Sequence, residues 1–141
     1  MSIWKNDFTL AALNEVSENT MVSHLKIEFV DFGDDFLTAR MPVFEGTVQP
    51  MRILHGGASC VLAETVGSVA THLCIDHLTQ YAVGLELNAS HLGGVAEGGW
   101  VYARATPARL GGKIHVWNIA LADANQKPVC ATRLTMFVAK K

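Results

Sequence analysis

An α+β domain, with an antiparallel sheet of about six strands curled around one long central helix, is predicted by three features of the sequence. The first is Leu54 to Leu73, LHGGASCVLAETVGSVATHL, a glycine-led and almost wholly apolar stretch whose single charge is Glu64. A helix apolar on every side belongs in the middle of a fold. The second is the run of four extended segments that follows it, and the third is a short hairpin pattern that precedes it. A sheet with one face to cover would wrap such a helix.

Taken in order, Thr9 or Asp7 can cap a short helix to about Val16, with Leu10, Leu13 and Val16 on one side. Leu25, Ile27 and Phe29 alternate with Lys26 and Glu28, the period of a half-buried strand, and Gly33-Asp34-Asp35 turns the chain into Phe36 to Met41. Pro42, Gly46 and Pro50 break regular structure up to Leu54. The long helix then starts at the His55-Gly56-Gly57 step and runs to about Cys74. Strands are expected at Tyr81 to His91, Trp100 to Leu110, Lys113 to Ala122 and Pro128 to Ala139, separated by glycine pairs and by Ala124-Asn125-Gln126. The last two connections are short enough for antiparallel hairpins.

The whole fits one domain, residues 1–141, with half of the residues hydrophobic. A net charge of -2, without a basic stripe, argues against nucleic acid as a partner. The longest apolar run is interrupted by Glu64, Thr65 and Ser68, and the N-terminus lacks the pattern of a signal peptide, so a soluble cytoplasmic protein without membrane contact is expected. Cys60, Cys74 and Cys130 are odd in number and follow no ligand spacing, which suits reduced thiols without an assigned role. The histidines show no metal-ligand spacing either, and no metal or other cofactor is expected.

The chemistry concentrates on the helix. Glu64 is a lone acid in apolar surroundings, costly to keep ionised unless something stabilises it, and a perturbed acid of this kind marks a candidate site. Helical spacing puts it on a face with Gly57, Cys60, Val61, Ser68 and Thr71, and Ser68, one turn on, is placed to hydrogen-bond the acid or a water beside it. At the helix start, free N–H groups and the positive dipole end favour a developing negative charge, with Gly56 the least obstructed donor. Eight residues separate Gly56 from Glu64, about 12 Å at 1.5 Å rise per residue. One carbonyl cannot easily meet both in one chain, so a site shared between two copies of the helix is expected, and with it at least a homodimer. An oxyanion donor plus a carboxylate, without a Ser-His or Cys-His pair, suits an activated acyl group such as a thioester.

The run Gln49, His55-Gly56-Gly57, Ala63-Glu64-Thr65 and Gly67-Ser68, with VGLELNASH at Val83 to His91 and ATPARLGGKIHVW at Ala105 to Trp117, resembles the hotdog-fold acyl-CoA thioesterases of the PaaI-like group. The likeness spans essentially the whole chain. It implies a hotdog fold, a homodimer and further a homotetramer, and hydrolysis of an acyl-CoA, of the 1,4-dihydroxy-2-naphthoyl-CoA or benzoyl-CoA type, to free acid and CoA.

Carried over by position, the resemblance implies that Glu64 is nucleophile or general base and that Ser68 positions the water or the acid. Gly56 N–H polarises the thioester oxygen, with the Gln49 side chain assisting and His55 shaping the turn. Gln49 and Gly56 come from one subunit, Glu64 and Ser68 from its neighbour. His91 reaches the substrate, Gly57, Val83 and Gly84 border it, and Arg109 and Lys113 lie near the CoA nucleotide. Gly93 and Gly112 stand where arginine is common in the family, leaving Arg104, Arg109 and Lys113 as the cations for phosphate. The alternatives are a non-catalytic acyl-CoA binder, a thioesterase for acyl groups on a carrier protein, and a hydratase or dehydratase. The last needs a histidine paired with an acid across the interface, whereas His55 does not replace Glu64 as the natural centre here.

Overall fold

The structure, a computed structural model, describes residues 1–141. Its elements are α1 (Leu10–Val16), α2 (Met21–His24), β1 (Glu28–Phe32), β2 (Leu37–Pro42), α3 (Gly56–Cys74), β3 (Gln80–His91), β4 (Trp100–Leu110), β5 (Ile114–Asp123) and β6 (Pro128–Lys140). The six strands form one antiparallel sheet in the order β1-β2-β4-β5-β6-β3. The β4-β5 and β5-β6 hairpins are as expected. Strand β3 crosses over to pair with β6, and so becomes a sheet edge twelve residues long.

Helix α3 lies on one face of this sheet. Leu62, Ala63, Val66 and Ala70 are fully buried against Ala39, Met41, Val101, Ala103, Trp117, Ile119 and Leu134. Gly67 marks the closest approach: a Cβ there would stand 2.6 Å from Leu134 Cδ2 and 2.9 Å from Ile119 Cδ1. Its missing side chain therefore serves packing with the sheet and does not make room beside the acid. Thr71 is also drawn into the core, where its hydroxyl accepts a 2.7 Å hydrogen bond from the buried Trp117 indole. The helix is not covered all round, because Cys60, Val61, Glu64, Thr65, Ser68 and Val69 form a partly open stripe.

The ends of α3 are built by distant residues. Lys5 N–H donates to Leu73 O at 2.8 Å, and the Asn6 carboxamide donates to Ile75 O at 2.8 Å and to His72 O at 3.0 Å. These contacts satisfy carbonyls that a helix C-terminus otherwise leaves without partners.

Two local readings change. The alternation at Leu25, Ile27 and Phe29 does mark buried side chains, but Leu25 closes α2 and Lys26 takes φ 58°, so the ladder begins only at Glu28. Helix α2, a single turn, was not expected from the sequence. Thr20 caps it and Ser23 bonds back to the Thr20 N–H, giving a capping box with Ser where Glu or Gln is usual.

Candidate active site

The first turn of α3 contains one unengaged donor. His55 is the N-cap, and its Nδ1 accepts from Gly57 N–H at 2.8 Å, which requires that nitrogen to be unprotonated. The His55 carbonyl takes the N–H groups of Ala58 and Ser59 at 3.0 and 3.3 Å. Gly56 N–H makes no hydrogen bond within the chain and points out of the positive end of a 19-residue helix.

The loop before the helix is held rigidly around this donor. Buried Thr47 donates its hydroxyl to Pro42 O at 2.8 Å, accepts from Phe44 N–H at 3.0 Å, and takes His55 N–H on its carbonyl at 2.8 Å. Arg52, at φ 61°, forms a two-pronged ion pair with Glu97 at 2.6 and 2.8 Å. The Gln49 side-chain oxygen accepts from Met51 N–H, which leaves its amide nitrogen as the free donor end. Thr47 is the organising residue that sequence reasoning missed. A threonine among prolines and glycines gives no periodic signal.

His91, the last residue of β3, packs over Gly56. A Cβ on Gly56 would stand 2.9 Å from His91 Cε1 and 3.0 Å from Nε2. Gln49, Ile53, Gly56, Ser59 and His91 thus line one open cavity of about 410 Å³.

Glu64 lies elsewhere. Its carboxylate is exposed in the single chain and lines a second open cavity of about 380 Å³ with Met21, Val22, Val61, Thr65, Ser68 and Val69. Helix α2, absent from the sequence-based expectation, supplies Met21 and Val22 to its apolar wall. Gly84 accommodates the acid: a Cβ there would stand 2.5 Å from Glu64 Oε1. Ser68 lines the same cavity, although its hydroxyl points to Met136 Sδ at 3.6 Å and not to Glu64.

Gln49, His55, Gly56 and His91 therefore meet at one place, and Glu64, Ser68 and Gly84 at another. Gly57 sits beside the first group, its N–H spent on the cap. Val83 is 48% exposed on the sheet edge. Arg109 and Lys113 flank the β4-β5 turn, whose register through Phe137 leads to Val83, the end of β3 away from His91. Both are exposed, and neither lines either cavity.

Residues 51–130 match the thioesterase superfamily. A 1,4-dihydroxy-2-naphthoyl-CoA hydrolase of Escherichia coli is 47% identical over 133 residues, 94% of this chain and 96% of that protein. A proofreading thioesterase of Cronobacter turicensis is 44% identical over 136 residues, 96% of this chain and 98% of its own. The crystal structure of a variant thioesterase from Pseudomonas aeruginosa superposes with a TM-score of 0.97 at 46% identity, covering 99% of this chain and 100% of that one.

Proposed function

Since this chain belongs to the thioesterase superfamily, with the hotdog fold over its whole length, we propose that it hydrolyses an aryl-CoA thioester in a site shared by two copies. The substrate class is of the 1,4-dihydroxy-2-naphthoyl-CoA or benzoyl-CoA type. One observation carries the reading: the free Gly56 N–H and the Glu64 carboxylate are on the same rigid helix, about 12 Å apart along its axis, and line separate open cavities.

Strand β3 supplies the reason for two copies. It borders both half-sites, with His91 against Gly56 and Gly84 against Glu64, and it is an edge with Tyr81, Val83 and Leu85 44%, 48% and 58% exposed. Such an edge invites pairing. Antiparallel pairing of two β3 strands about a two-fold axis near Leu87 sets His91 of one across from Gly84 of the other. The Gly56 half-site of one copy then faces the Glu64 half-site of its partner. The partly open stripe of α3 is covered by the same arrangement.

In that site the thioester oxygen accepts from Gly56 N–H, with the Gln49 amide beside it, and the positive helix end stabilises the charge that builds there. Glu64 of the other copy then acts on the carbonyl carbon. As nucleophile it forms a mixed anhydride and expels CoA thiolate, which takes a proton, and water afterwards cleaves the anhydride. As general base it removes the proton from a water that attacks directly. In a single turnover in ¹⁸O-water, label entering Glu64 identifies the anhydride route, because direct attack of water on the thioester places label in the product acid alone. The apolar cavity beside Glu64, walled by Met21, Val22, Val61 and Val69, fits an aryl group.

Thiol release from benzoyl-CoA, a dihydroxynaphthoyl-CoA and a medium-chain acyl-CoA tests the reading. Glu64→Ala should lower turnover by more than about tenfold, the equivalent of about 1.4 kcal/mol of barrier. Retention of turnover would remove Glu64 from the mechanism. Mixing folded Gln49→Ala and Glu64→Ala chains should restore about a quarter of wild-type activity, since half of a statistical mixture is heterodimer with one intact site in two. No recovery in verified heterodimers would place the site within one chain.

A further inference from the structure

Cys130 is the residue opposite His91 in the β3-β6 ladder, and its Sγ lies 3.6 Å from His91 Nδ1. It is only 2% exposed. The ring it touches is the one packed on Gly56, with Nε2 and Cε1 as the atoms nearest the helix start. We propose that Cys130 is a positioning residue: its thiol donates to His91 Nδ1, fixes the ring as the Nε2–H tautomer, and so presents a second N–H donor beside that of Gly56.

The direction of the hydrogen bond follows from the chemistry of the two atoms. Neutral imidazole nitrogen is a good acceptor, whereas thiol sulfur is a weak one. Burial, with Cys60 adding to it, raises the Cys130 thiol above its ordinary range, so the proton is there to donate. A neutral histidine whose Nδ1 accepts must carry its single proton on Nε2. The neighbouring His55 has the same pattern from a different partner, with Nδ1 accepting from Gly57 N–H. Both imidazoles at the helix start thus use Nδ1 as acceptor, and of the two it is His91 that lines the cavity with Gly56 and turns its Nε2–H to a ligand oxygen there. A negative charge developing there would meet the N–H groups of Gly56 and His91 together, as an oxyanion site requires.

The catalytic consequence rests on the proposed thioester hydrolysis, but the tautomer does not, and the experiment keeps them apart. Long-range ¹H–¹⁵N NMR of the intact protein, at the pH of the activity assay, distinguishes Nε2–H, Nδ1–H and doubly protonated His91. The Nε2–H pattern is expected in wild type and in Cys130→Ser, whose hydroxyl can also donate, and a mixture of tautomers in Cys130→Ala. In parallel, kcat of Cys130→Ala should fall about tenfold with KM little changed, a fraction of the 10²–10³ that loss of a whole oxyanion donor costs, and Cys130→Ser should regain most of it. An Nδ1–H or doubly protonated ring in wild type, or an unchanged pattern in folded Cys130→Ala, overturns the assignment. A wild-type kcat in Cys130→Ala with the tautomer altered overturns its role in the reaction. Absence of thiol release by wild type defeats the functional reading and leaves the tautomer result standing.

Discussion

Gly84→Ala is the most searching test of how Glu64 is held. The side chain of alanine would begin 2.5 Å from Glu64 Oε1, whereas ordinary contact starts at 3.4 Å, so the carboxylate must retreat by about 0.9 Å. A displacement of about 1 Å at a reacting group costs on the order of 10²-fold in rate, or about 2.7 kcal/mol of barrier. The fold should hardly notice. Gly84 has no left-handed φ, the group it meets is the end of an exposed side chain, and alanine in a strand interior is favoured over glycine by about 0.5–1 kcal/mol. The expected result is a kcat lowered about 100-fold, KM little changed and a melting temperature at or slightly above wild type. Gly112→Ala, at a glycine with nothing within 4 Å of the new Cβ, is the matched control and should be silent. A folded Gly84→Ala enzyme with kcat within about threefold of wild type would refute the argument, since the acid would then need no defined position against β3.

Two further outcomes follow from buried polar groups. Thr71→Val removes the only partner of the Trp117 indole N–H in the core and should cost about 1–3 kcal/mol of stability, read from urea unfolding with the slope unchanged. His115 is 4% exposed with an unpartnered Nδ1, and burial, aided by Lys5 and opposed by the Gly111 backbone, pushes its pKa below 6.5. The unfolded chain therefore binds more protons in this window. The contribution of His115 to stability is fully present above about pH 6.5 and is lost as pH falls towards the depressed value. Urea midpoints at pH 7.5 and 5.5 should differ more for wild type than for His115→Phe. Equal differences would mean that the ring is not held neutral.

Much of the candidate site was legible because it is local. An apolar helix with one acid, a glycine pair after a histidine and a helical spacing of eight residues are written in consecutive residues. They locate α3 between the His55-Gly56-Gly57 step and about Cys74, against Gly56–Cys74 in the structure, and set Gly56 apart from Glu64 along it. Strand positions were nearly as clear, since alternation and glycine turns report on a few neighbours. Where the alternation misled, at Leu25 to Phe29, it still reported burial correctly: a left-handed Lys26 altered the backbone without moving the apolar side chains off the core.

What the sequence by itself determined, then, was every element but the single turn of α2, together with the central helix and the chemical character of its two ends. Only the tertiary structure decided that β3 crosses to pair with β6, that His91 and Cys130 thereby meet over Gly56, that Gly84 faces Glu64, and that α2 walls the acid's cavity. The physical reason is that strand order and register are fixed by pairing and packing between residues far apart in the chain. Periodicity records which side of an element is apolar, and it carries no information about which other element covers that side.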